Sequence, residues 1–521
     1  MINKNWGWRT LPSGWRYGVI ILLVLGIFLR FYHLDRKVYW IDETNTSLRT
    51  LGYTKTEVIE TAFTGEVITA DQLMRFQRLS PDRGWSDTWT ALTGTAEHTP
   101  LYFLLSRAWI GVVGHSVATM RALTAIFSIL AMPCLFWLCW ELFQSFAVGW
   151  VAVGLYAITP LHVLYAQEAR PYSLWTVMIL LSSALLLRSL RTPSRQNWIL
   201  YGLSLIAGLY TQLLFGVMIL THGLYVLLTE KWRSPTTRAY LMTTAIALLA
   251  FTPWLALLIH NLPKVQESTR SLTEGYSFGY MVNRWFLNSS LAFFGRELGS
   301  ANLLVGVLCG VAVGLLPRIT PKRSWLFVVL LVAVPFLCLA LPDVILGGRA
   351  SLRIRYLFPT MLGIQLAFAA QIALQGLWGR TWRQHFWRGV LGLLVVGGLA
   401  SCIVSSQAVV WWNKSVPRSS YYPIVSALIN EAANPLVISD GSVTDTLAFS
   451  RWLDPDVHLQ LSLEPRKIRV ARGYDPIFLL NPEESTKRIF TRRGYELTLL
   501  YRDTTDADDV VDRLWRAEKS Q

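Results

Sequence analysis

Apolar runs long enough to cross a lipid bilayer recur along these 521 residues, and nothing else restricts the folding of the chain as much. Roughly 17–25 apolar residues make a transmembrane helix. Inside lipid the backbone has no water to bond to, so each run must satisfy its own N–H and C=O groups as a helix. Such runs lie at about 17–33, 119–140, 147–166, 172–188, 238–260, 301–317, 325–342, 354–376 and 388–411. The stretch 198–229 is too long for one span, and Thr211 and Gln212, flanked by glycines, divide it in two. The expected total is eleven spans. Residues 101–113 carry Ser106 and Arg107 and are too short to count, which assigns them to the interface or a protein core.

Composition agrees. Apolar residues make up 53% of the chain and charged ones only 16%, where a soluble domain is nearer a quarter charged. The five cysteines (Cys134, Cys139, Cys309, Cys338 and Cys402) all fall in apolar runs, so neither a disulfide framework nor a zinc site is indicated. No His/Asp cluster has metal-ligand spacing. No cofactor is expected, although a divalent metal stays open. The first apolar run is followed by "RFYHLDRKVYW" rather than a small-residue cleavage site, and reads as a retained span.

The net charge of +15 raises the question of a nucleic-acid partner, and its distribution answers against one. With the N-terminus in the cytoplasm, Lys4, Arg9 and Arg16 lie inside. Alternate loops then carry Arg188, Arg191 and Arg195; Lys231, Arg233 and Arg238; Arg318, Lys322 and Arg323; and Arg380, Arg383 and Arg388. Much of the positive charge is thus a topology signal. The outer face receives a long first loop (about 34–118), junctions near 166–171 and 343–353, a loop at about 262–300, and the tail from about 412.

That tail changes character. "PLVISD" and "DPIFLLN" read as strands, "SVTDTLAFSRWL" and "EESTKRIFTRRG" as helices, and "YELTLLYR" as a further strand. The alternation predicts a small α/β domain at 412–521 beside a membrane domain at 1–411. In the first outer loop, "KTEVIETAFT" and "ADQLMRFQRL" read as interfacial helices. The expected fold class is an all-α polytopic membrane protein with this added domain.

Candidate chemistry gathers on the outer side. Asp42 and Glu43 follow the first span, although an adjacent acidic pair also simply ends helices. Glu168, Arg170 and Tyr172 stand in "YAQEARPYS", where charges at a membrane boundary also serve as snorkelling anchors. Arg349, Arg353 and Arg355 sit in "RASLRIRYLFP", on the side where the positive-inside rule disfavours them. They need an anion: a phosphate, whose oxygens match the guanidinium fork, or acidic side chains of the first loop. His98, Tyr102 and Arg121 complete the outer set, each with an ordinary structural reading as well. A polyprenyl-phosphate sugar needs such a combination. Its phosphate wants cations, the acceptor hydroxyl wants a carboxylate base, and its tail wants an apolar groove.

The order of motifs is a "DE" after the first span, then "HTPLYFLL", "RALTAIFS", "YAQEARPYSL" and "RIRYLFP". In this it resembles the glycosyltransferase family 39 group of bacterial membrane proteins in the GT-C superfamily. Protein O-mannosyltransferases and the aminoarabinose transferases of lipid A are relatives. The resemblance covers about residues 17–376. It departs from the usual His-Pro-Pro-Leu-Tyr at Thr99, keeping the histidine and the second proline.

The resemblance implies an inverting glycosyltransferase that uses a lipid-phosphate donor, without a nucleotide sugar, on the outer face of a bacterial inner membrane. Asp42 would be the general base, and Glu43 would support it or bind the acceptor. Glu168 would be a second acid, and Arg170, Tyr172, Arg353 and Arg355 would hold the donor phosphate. The acceptor would be a lipid, glycan or protein hydroxyl. Two other classes remain: a transporter or flippase of lipid-linked sugars, which should show internal repeats or broken mid-membrane helices, and a non-catalytic membrane scaffold.

Overall fold

The computed structural model describes residues 12–269, 275–377, 381–410, 419–504 and 510–519. Lys4, Arg9 and Arg380 of the charge argument lie outside them. Contacts divide the chain into two compact units. The first comprises Met1–Leu34, Thr95–Tyr102 and Met120–Gln407, and the second Asp35–Gly94, Phe103–Thr119 and Ala408–Gln521.

The first unit is helical. Among the described residues, eight helices are long and apolar enough to span a membrane: Ser13–Phe31, Val117–Phe143, Tyr172–Arg191, Pro235–His260, Ala301–Arg318, Lys322–Leu346, Phe358–Gly376 and Trp382–Gln407. The pair Phe146–Ile158 and Pro160–Ala166, bent by 58°, makes nine if it counts as one span. Of the expected eleven, nine are thus met by long helices or the bent pair. The difference lies at 198–229, which forms two shorter helices, Arg195–Thr211 and Gly216–Thr229. The break falls at Gln212, whose backbone is extended, and a short 3-10 turn, Leu213–Phe215, follows it. Gly208 permits the fold-back, because a Cβ there would stand 2.4 Å from the Phe215 ring.

The bend at residues 158–160 has an identifiable cause. Pro160 brings no N–H, and Thr159 is extended, so carbonyls at the end of Phe146–Ile158 lose helical partners. Arg30, fully buried on the first span, replaces them. Its Nη1 donates to the Ala157 carbonyl at 2.6 Å and its Nη2 to the Tyr156 carbonyl at 3.2 Å.

The second unit is built on a sheet. Among the described residues it has six strands: β1 (Thr64–Thr69), β2 (Leu436–Ser439), β3 (His458–Ser462), β4 (Ile477–Leu480), β5 (Tyr495–Asp503) and β6 (Val511–Lys519), in spatial order β1-β3-β2-β4-β6-β5. The β3-β2-β4 centre is parallel and the outer pairs are antiparallel. Every β2 residue is buried, as both-face coverage of a central parallel strand requires. The strands and helices expected in the tail are present. Added to them is β1, which comes from the first outer loop and pairs with β3 nearly 400 residues later, Thr69 facing His458. For that reason the contact division groups the loop with the tail, whereas a cut at 411/412 assigns it to the membrane part. Leu101–Val113 forms a 13-residue helix, as its length suggested.

Candidate functional site

The acidic pair belongs to the second unit. Trp40 is extended at the N-cap, and the helix Ile41–Leu51 follows with Asp42 and Glu43 in its first turn. Acidic groups there meet the positive end of the helix dipole. The two carboxylates are unequal: Glu43 is fully buried and Asp42 only partly. The helix stops at Gly52, whose φ of +82° suits glycine, and a Cβ there would lie 2.7 Å from Asp87.

The remaining candidates belong to the first unit. The helix Pro160–Ala166 ends at Gln167, whose Nε2 donates to the carbonyls of Leu29 (2.8 Å) and Tyr32 (2.9 Å). The end of the first span therefore holds the chain just before Glu168, which is fully buried. The Arg170 N–H bonds back to the Glu168 carbonyl at 2.7 Å, a tight i→i+2 turn. Arg170, itself buried, carries its guanidinium 5.9 Å from the Tyr172 ring centre.

The "RASLRIRYLFP" segment coils into two 3-10 turns, Ala350–Leu352 and Ile354–Tyr356. Three side chains hold it. Asp343 accepts from the Ser351 N–H at 2.6 Å, Trp285 Nε1 donates to Ser351 Oγ at 3.1 Å, and Asn288 donates to the Leu352 carbonyl at 3.1 Å. Arg353 and Arg355 are half-buried, with Arg355 5.4 Å from the Tyr356 ring. Phe358 then carries the segment to the other motif. It stacks on Tyr172 at 5.9 Å and meets Tyr165 edge-on at 5.1 Å. Arg170 and Tyr172 are thus brought together with the Arg353–Arg355 stretch by shared aromatic packing, although the two motifs lie far apart in the chain.

Tyr102 is fully buried and hydrogen-bonds Thr124 at 3.1 Å. Arg121 is fully buried and donates to the Leu34 carbonyl at 2.7 Å. His98 is half-buried, in a segment that Trp254 anchors by donating to the Ala96 carbonyl at 3.0 Å. Sequence reasoning missed Gln167, Asp343, Trp285, Asn288 and Phe358. Only Phe358 and Gln167 stood inside the quoted motifs, and neither carries a charge to draw attention.

Among the described residues, no three or more His, Cys, Asp or Glu gather as metal ligands, and the five cysteines are free. Residues 97–257 match the family "Dolichyl-phosphate-mannose-protein mannosyltransferase". ArnT from Cupriavidus metallidurans, bound to undecaprenyl phosphate, superposes on 97% of this chain and 98% of its own, with a TM-score of 0.52 at 12% identity. The chain is similar to that family over residues 97–257 and shares its fold with ArnT.

A second solved structure agrees in fold. The oligosaccharyltransferase AglB from Archaeoglobus fulgidus, in complex with an inhibitory peptide and a dolichol-phosphate, matches 98% of this chain and 74% of its own length, with a TM-score of 0.50 at 10% identity. No curated protein is similar in sequence. The described residues of the chain include eight helices long and apolar enough to cross a membrane, in keeping with a multi-pass protein of this fold.

Proposed function

We propose that this protein is a glycosyltransferase of the GT-C type that transfers a sugar from a polyprenyl-phosphate donor to an acceptor hydroxyl, with inversion, on the periplasmic face of an inner membrane. The N-terminus is cytoplasmic and the tail periplasmic. The carrying observation is the convergence of two cationic, aromatic motifs on Phe358. Arg170, Tyr172, Arg353 and Arg355 hold the donor phosphate, and arginine's planar fork suits that task. The undecaprenyl phosphate bound to ArnT supports a lipid-phosphate donor.

Asp42 accepts the acceptor hydroxyl proton as the oxygen attacks the anomeric carbon. The bond from that carbon to the phosphate oxygen breaks, and its electron pair leaves on the polyprenyl phosphate. The exposure difference favours Asp42 over buried Glu43 as the group that meets substrate, with Glu43 in support. Glu168 is a second acid of the site. His98, Tyr102 and Arg121 are further candidate residues for this reaction. The step is written without a metal, a nucleotide sugar or a nucleic-acid partner. The acceptor is a lipid, glycan or protein hydroxyl.

The test incubates purified protein with a panel of polyprenyl-phosphate sugars and membrane extract, and identifies products by mass. A glycosylated acceptor together with released polyprenyl phosphate is expected. Donor translocation across vesicles without any product would overturn the reading.

A further inference from the structure

We propose that Arg451, from the C-terminal part of the chain, is a positioning residue for the helix that carries Asp42. The inference rests on the reading of Asp42 as base, and it assigns the tail a task in that reaction. All the contacts that carry it lie within the second unit.

The start of the helix Ile41–Leu51 is not fixed by its own cap, since Trp40 makes no side-chain cap hydrogen bond. The chain just before it is held from elsewhere. The Val38 N–H donates to the Val409 carbonyl at 2.8 Å. Tyr39 is buried, and its hydroxyl bonds Ser47 Oγ at 2.7 Å, tying the lead-in to the second turn of the helix. Against the face of the Tyr39 ring lies the Arg451 guanidinium, 4.5 Å from the centroid. Its Nε donates to Gln77 Oε1 at 2.7 Å. The Gln77 amide in turn donates to the Leu447 carbonyl, and Gln77 is itself buried.

This forms a closed clamp. The helix Val443–Phe449 and the turn Ser450–Trp452 come from the tail and carry Leu447 and Arg451. Gln77 comes from the first loop and bridges them. The same tail helix packs along Ile41–Leu51, with Thr444 Oγ1 3.4 Å from Asn45 Oδ1. Arginine suits this post because one planar group lies against a ring while its edge donates in the guanidinium's own plane. A lysine would keep the charge but not the planar fork, so its single ammonium cannot stack flat on the ring while also donating to Gln77. Three residues after Tyr39 comes the proposed base, so a shift of the ring is passed directly to the first helical turn.

The experiment uses full-length protein in nanodiscs and compares wild type with Arg451→Lys and Arg451→Ala. Hydrogen exchange of amides 41–51 reads the positioning without any need for turnover. Loss of the stack and the charge-assisted bond should speed that exchange about tenfold or more in both variants. Undecaprenyl-phosphate binding should be unchanged, and kcat should fall with little change in KM. Unchanged exchange in 41–51 would overturn the proposal. So would loss of undecaprenyl-phosphate binding, which would make Arg451 a ligand-holding residue. If Arg451→Ala does not fold, Arg451→Lys carries the same readouts. Asp42→Asn serves as the parallel control: wild-type turnover in that variant would defeat the base assignment, while the exchange result still decides the positioning.

Discussion

Phe358 stacks on Tyr172 with ring centroids 5.9 Å apart, and this contact joins two segments that each bring arginines. Phe358→Ala should remove the join. A buried Phe→Ala change costs about 3–5 kcal/mol. Thermal unfolding in detergent should show that loss, and undecaprenyl-phosphate affinity should fall with it. If stability and affinity both stayed at wild-type levels, the arginine segments would be held by other contacts, such as those from Asp343 and Trp285.

Arg353→Ala tests the phosphate assignment. A hydrogen bond to a charged group is worth about 1.5–3 kcal/mol, roughly a 10- to 150-fold change in affinity. Titration with undecaprenyl phosphate should reveal a weakening of that size, and the fold should be intact. An unchanged affinity would move the phosphate site away from this segment.

Asp42→Asn keeps the shape of the side chain and removes the base. Turnover should fall about 10²- to 10⁴-fold with protein yield unchanged. Glu43→Gln, at the fully buried neighbour, should cost stability as well as rate.

Gln167→Glu keeps the size of a side chain that donates to two carbonyls, those of Leu29 and Tyr32. A carboxylate cannot make those bonds. Each buried carbonyl left unsatisfied costs about 1–3 kcal/mol, so the unfolding midpoint should drop. The turn holding Glu168 should also lose its place, lowering turnover. A Gln167→Glu protein as stable as wild type would remove this anchor from the account.

His115 lies between Leu101–Val113 and Val117–Phe143, and burial, helped by the Arg451 charge, pushes its pKa down to about 4. The unfolded chain, near 6.5, therefore binds the proton more readily. Stability that is complete above about pH 6.5 is lost as pH falls towards 4, by up to about 3 kcal/mol. His115→Asn should flatten the acid side of a plot of unfolding temperature against pH. A curve with the same acid slope in both proteins would assign the acid sensitivity to other groups.

Much of this molecule is legible in its residues because lipid imposes a simple rule. A bilayer leaves the backbone few choices, so long apolar runs announced most of the spanning helices, and Gln212 announced a break. Local chemistry likewise marked the helices and strands of the tail. Charged residues in apolar surroundings marked both arginine motifs. At 198–229 the expected polar break stands between two helices, Arg195–Thr211 and Gly216–Thr229, that are shorter than the other spans.

What the residues could not disclose is partnership across long separations. "TGEVIT" becomes a strand only because β3 presents an edge to it. Gln167 looks like any glutamine until the first span ends beside it, and Arg451 looks like a solvated tail charge until Tyr39 lies beneath it. Helix formation in lipid is decided by neighbours a few positions away, and so it was determined by the sequence alone. The grouping of the loop with the tail, the meeting of the two arginine motifs and the setting of the Asp42 helix depend on contacts between residues up to several hundred positions apart. Those contacts leave no local pattern, and only the tertiary structure decided them.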